Sequence, residues 1–89
     1  MELHVKIFGT VQGVGFRAWT ARTAKGKGLC GWVQNCADGS VEAILQGEQE
    51  VLQEMLEELK TGPTYAIVDQ VESECRTAPN QLNGFEILR

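Results

Sequence analysis

Histidine occurs once in this chain, as His4, and cysteine three times, as Cys30, Cys36 and Cys75. The cysteines form no CxxC pair and their number is odd, so a zinc site of Cys and His at the usual spacings is not supported. Free thiols in a reduced cytoplasm are the default reading; a bridge between two of them stays open. Cations are in short supply, with 8 Lys and Arg against 12 Asp and Glu and a net charge of −4. That argues against non-specific nucleic-acid binding, which relies on surplus Lys and Arg, but leaves room for a local positive pocket. No apolar run reaches the roughly 18 residues a membrane span needs, and no basic segment with a long apolar stretch opens the chain. Neither a span nor a signal peptide is expected. Repeats and low-complexity tracts are absent.

What is there fits an ordinary soluble globular protein: 43% hydrophobic and 22% charged residues in 89 positions. Residues 1–89 read as a single domain with a modest core.

The most informative stretch runs from Gly9 through Val11, Gln12, Gly13, Val14, Gly15 and Phe16 to Arg17. Leu3–Phe8 before it alternates and reads as a half-buried strand. Arg17–Lys27 after it lacks Pro and carries Ala18, Ala21 and Ala24, so it reads as a helix. The stretch is therefore a strand-to-helix turn rich in glycine. Unpaired N–H groups and the positive dipole end at a helix start make such a turn a ready anion cradle. Arg17, the only side-chain cation placed at the loop, opposes the dipole at a local cost of about 0.3–1 kcal/mol. Its guanidinium suits a phosphate dianion or a carboxylate. A glycine-rich connector with a solvated arginine is the bland alternative.

Known anion loops fit poorly. Gly13-x-Gly15-x-x-Ala18 meets only the loose dinucleotide fingerprint, in a chain too short for a doubly wound domain. No Walker Gly-Lys-Ser/Thr is present, and the nucleophile position of a cysteine phosphatase loop falls on Val11. Water must therefore do any attack on phosphorus.

Further along, Leu29–Ala37 reads as a strand, Asp38-Gly39 as a hairpin turn and Ser40–Gln46 as the partner strand. Gly47–Glu50 opens a second helix, with Val51, Leu52, Met55, Leu56 and Leu59 as its core stripe. Gly62-Pro63 ends it. Ala66–Cys75 reads as a strand, Ala78–Gln81 as a loop and Gly84–Arg89 as a short last strand. The order β-α-β-β-α-β plus a short C-terminal strand implies an α+β, ferredoxin-like sandwich: an antiparallel sheet with two helices on one face.

Asn35 is the second candidate residue. By parity it shares the core-directed face of Val33, and a polar amide there needs a partner, often water or ligand. It could hold a water and aim it. The competing reading is that Asn35 stabilises the approach to the Asp38-Gly39 turn.

Two motifs, Gly9-x-Val11-Gln12-Gly13-Val14-Gly15-Phe16-Arg17 and Gly31-Trp32-Val33-x-Asn35-x-x-Asp38-Gly39-x-Val41-Glu42, resemble the signatures of the acylphosphatase family. The likeness runs to the closing Gly84-Phe85-Glu86-Ile87. It implies a hydrolase that cleaves the carboxyl–phosphate bond of small acyl phosphates without metal or cofactor. By position, Arg17 would bind phosphate with the amides of Val11 to Phe16, and Asn35 would hold the attacking water. Inorganic phosphate would be product and inhibitor, and a cytoplasmic monomer with no nucleic-acid or membrane partner is expected. Lys27 stands where similar relatives usually carry an apolar residue, a departure that bears on the packing and length of the first helix. Cys30 and Cys36 are not family requirements. The alternatives are a non-catalytic phosphate- or carbamoyl-phosphate-binding module and an RNA-binding domain of the same fold. The second wants sheet-face aromatics that Ser40–Gln46 does not supply.

Overall fold

A computed structural model describes the whole chain, Met1 to Arg89. The elements are β1 (Glu2–Thr10), α1 (Phe16–Gly26), β2 (Cys30–Asn35), β3 (Val41–Gln46), α2 (Gln49–Thr61), β4 (Ile67–Arg76) and β5 (Phe85–Ile87). They form one five-stranded sheet in the order β4-β1-β3-β2-β5. The four long strands are antiparallel, whereas β5 runs parallel to β2, which makes the sheet mixed. The ferredoxin-like α+β arrangement expected from the element order is the one observed. No helix is long and apolar enough to cross a membrane.

Period-two patterning decides which face is covered. In β1, Leu3, Val5 and Ile7 are buried beneath the helices, while His4, Lys6 and Phe8 lie half-buried on the open face. Val33, Val41, Ala43 and Leu45 extend the same core across β2 and β3. From α2 the stripe Leu52, Met55, Leu56 and Leu59 is buried; Val51 is only half-buried at its margin. α1 packs on β2 and β5, and α2 on β4 and β1.

Several boundaries differ from the sequence reading. β1 continues through Gly9 and Thr10, because both still pair with β4 after a register shift between Phe8 and Gly9. A Cβ on Gly9 would lie 2.1 Å from the Ile67 carbonyl oxygen, so only glycine permits that approach. α1 starts at Phe16 and ends at Gly26, one residue inside its expected limits at the C-terminal side. Lys27 follows it and reaches Glu58 at 2.6 Å and Glu54 at 3.5 Å, so it ties α1 to α2 by charge in place of apolar packing. The Glu58 carboxylate holds that ammonium above its usual range. Ser40 belongs to the turn and not to β3; its N–H and hydroxyl both donate to Asp38 Oδ1. Cys30, Cys36 and Cys75 are free thiols.

Strand direction positions the site. β1 and β2 both run antiparallel to β3, and β5 runs parallel to β2. The C-terminal ends of these three strands and the N-terminus of α1 therefore meet at one end of the sheet.

Candidate active site

Residues 11–15 connect β1 to α1 at that end. Gly13 and Gly15 take positive φ, 76° and 78°, the left-handed region in which a side chain would be strained. Gly15 precedes the helix and offers no side-chain cap. As a result, no backbone N–H from Val11 to Phe16 donates to another group of the chain. Six donors of one short segment are thus free at the positive end of a helix, the arrangement that favours an anion.

The Arg17 guanidinium is half-buried beside this loop and makes no ion pair. Its single bond is from Nη1 to the Leu88 carbonyl oxygen, at 3.3 Å. Leu88 in turn donates its N–H to the Val33 carbonyl of β2 at 2.8 Å. The residue following β5 therefore links Arg17 to the strand that carries Asn35. A cavity of about 200 Å³ lies here, lined by Gly13, Gly15, Arg17, Ala18, Ile87 and Arg89. Arg17 is consequently not the only side-chain cation at the loop. Arg89 comes from the far end of the chain, and no local pattern announced it.

Asn35 is the last residue of β2 and is exposed, although it shares the core-facing parity of the fully buried Val33. The strand end protrudes beyond what α1 covers, so parity identifies the face without ensuring burial. No hydrogen bond in the chain uses the Asn35 side chain. The turn after it is closed by Cys36 N–H to the Ser40 carbonyl at 2.8 Å and by Asp38 with Ser40. The amide of Asn35 is thus not occupied in building that turn.

The sequence pattern gives Gln12 a role only through its main-chain N–H. Its side-chain Nε2 donates to the carbonyls of both Cys36 and Ser40, each at 2.8 Å. The loop and the β2–β3 turn are fastened together immediately beside Asn35. The sequence signal for this was faint: a long amide donor inside a glycine loop.

The turn carries its own electrostatics. Asp38 accepts from the Ser40 hydroxyl and N–H and faces Lys6 Nζ at 3.2 Å, which together hold its carboxyl at about 2. On the open sheet face His4 Nε2 meets Glu42 Oε2 at 2.6 Å, and this bond lowers the Glu42 carboxyl. Nowhere does a group of three or more His, Cys, Asp or Glu come together in a way that could hold a metal ion.

The family model described as Acylphosphatase matches residues 3–87. A curated acylphosphatase of Azorhizobium caulinodans is 44% identical over 85 residues, spanning 96% of this chain and 91% of that relative. Among solved structures, an acylphosphatase from Bacillus subtilis superposes with a TM-score of 0.92 at 31% identity, covering 99% of this chain and 98% of the other. One from Coxiella burnetii superposes with a TM-score of 0.91 at 33% identity, covering 98% and 90%.

Proposed function

The chain belongs to the acylphosphatase family and hydrolyses acyl phosphates, and on that premise we propose how its own residues carry out the reaction. The free N–H groups from Val11 to Phe16 and the Arg17 guanidinium bind the transferring phosphoryl group. They neutralise charge that spreads over its oxygens, which is positioning and electrostatics with no covalent intermediate. Asn35, whose amide is unbonded at the same end of the sheet, holds the attacking water. The water oxygen bonds to phosphorus as the phosphorus–acyl oxygen bond breaks, and its electron pair leaves on the carboxylate. A carboxylate is a good leaving group, so no strong general acid is required. The proton of the attacking water passes to the phosphate oxygens.

One observation carries this reading: an unspent run of N–H groups ends at Arg17, while an unspent amide stands on the neighbouring strand. The donor chemistry of the site calls for neither metal nor cofactor. Inorganic phosphate fits the same cradle and is both product and competitive inhibitor. Residues 1–89 act as a single acylphosphatase-like domain. Only three large apolar residues are exposed, Met1, Tyr65 and Ile67, too few for a broad apolar interface, which supports a monomer. Three free thiols in so short a chain support the reducing cytoplasm as its location.

The test is turnover of acetyl phosphate beside a phosphate monoester control, with and without exhaustive chelation. Hydrolysis of the acyl phosphate alone, undiminished by chelator, is the expected result. Activity abolished by chelation and restored by a divalent ion would overturn the metal-free mechanism.

A further inference from the structure

A second groove, of about 420 Å³, begins where the phosphoryl cavity ends. The two share Gly15 and Ala18. From there the groove runs between α1 and the turn that follows α2, with Val14, Trp19 and Tyr65 as its apolar and aromatic walls. Trp19 is held by an edge-to-face contact with the buried Phe16, at 5.5 Å between ring centroids and 68° between planes. The opposite wall is held just as closely. Gly62 has φ 71°, and a Cβ there would come within 2.8 Å of Phe16 Cε2. Only glycine lets the turn rest against that ring. Tyr65, 80% exposed, stands over the groove with its ring uncovered.

Charge singles out one end. Arg22 is the only charged residue lining the groove, and no carboxylate of this acidic chain pairs with it. Arg22 stands one helical turn beyond Ala18 on the face that borders the groove.

We propose that this groove receives the acyl group of the substrate and suits an aromatic or bulky apolar acyl group ending in a carboxylate. The inference rests on the loop and Arg17 holding the phosphoryl group. Aromatic walls beside one placed charge give a small ligand both apolar contact and orientation. Its direction also suits the chemistry. The groove is lined by α1 and by the turn leading into β4, at the edge of the sheet opposite β5, and by no residue of β2 or β5. Water held by Asn35 and a carboxylate leaving into the groove would stand on opposite sides of phosphorus, as in-line displacement requires.

The experiment compares kcat/KM for acetyl, benzoyl and 4-carboxybenzoyl phosphate in the wild type, Tyr65→Ala and Arg22→Gln. Both substituted side chains are exposed, so folding is not at stake. Tyr65→Ala should lower the benzoyl-to-acetyl ratio about fivefold, the scale of one aromatic contact. Arg22→Gln should lower the carboxybenzoyl-to-benzoyl ratio about threefold, with the loss shrinking as salt is added. The inhibition constant of inorganic phosphate should hold in both variants. Ratios that match the wild type, with phosphate inhibition intact, would overturn the groove assignment. Phosphate inhibition unchanged in Arg17→Gln would instead overturn the loop assignment, and the groove with it.

Discussion

Gln12 donates its side-chain amide to the main-chain carbonyl of Cys36 across 24 positions of sequence, at 2.8 Å. With the matching bond to Ser40, this makes the phosphate loop and the turn after Asn35 a single piece. Gln12→Ala removes two hydrogen bonds, although the Cys36 and Ser40 carbonyls keep the N–H groups of Gly39 and Cys36 as donors. Urea denaturation should show a loss of about 1–3 kcal/mol. Turnover should fall by about ten- to a hundredfold, because the loop and Asn35 are no longer held in register. Wild-type turnover in a destabilised variant would show that the clamp serves folding alone.

Arg17→Gln should separate activity from stability. Turnover and phosphate affinity collapse, while the folded state without phosphate stays within about 1 kcal/mol of wild type. Losing the long bond to Leu88 is offset by about 0.3–1 kcal/mol on removing a cation from the positive end of α1. At a hundredfold excess over its dissociation constant, phosphate should stabilise only the wild type, by about 2.7 kcal/mol. The check is a pair of denaturant curves for each protein, with and without phosphate. A variant several kcal/mol weaker in phosphate-free buffer would make Arg17 a structural residue.

Asn35→Ala removes an exposed side chain that bonds to nothing in the chain. Its stability should lie within about 0.5 kcal/mol of wild type. Turnover should drop by the equivalent of about 3–4 kcal/mol in barrier, with phosphate inhibition little altered. Phosphate affinity falling in step with turnover would make Asn35 a binding residue.

Asp38 supplies a pH test. Its carboxyl is held at about 2, against an ordinary 3.8, first by the Ser40 hydroxyl, then by the Ser40 N–H and Lys6. A depressed folded value means that its contribution is complete above the ordinary value and is lost as pH falls through the folded one. Between about 3.8 and about 2, the wild type should therefore lose stability more steeply than Asp38→Asn. Urea midpoints above, within and below that window measure the difference. Parallel curves for the two proteins would contradict it.

Much of the molecule was legible along the chain because its causes are local. The alternation in β1 and the stripe Val51, Leu52, Met55, Leu56, Leu59 each name a buried face through a fixed period, and both faces are buried as read except for Val51, which is half-buried at the margin. The Asp38-Gly39 turn and the glycines of the loop declare their backbone shapes through residue type, and Gly13, Gly15 and Gly39 all take positive φ. β4 was harder, since at the sheet edge Ser73 and Cys75 are exposed despite their core-side parity and the alternation fades.

The rest depended on which elements become neighbours. Pattern alone could not say that β5 would lie parallel beside β2, and that placement brings Leu88 and Arg89 to Arg17. Nor could it say that Gln12 would reach the β2–β3 turn, or that Lys27 would answer two glutamates of α2. For Asn35, parity chose the face, but exposure depended on where α1 stops covering β2. Hydrophobic period and turn chemistry act over a few residues and are written in the sequence. Hydrogen bonds and charge pairs between distant residues exist only once strand order has closed the distance.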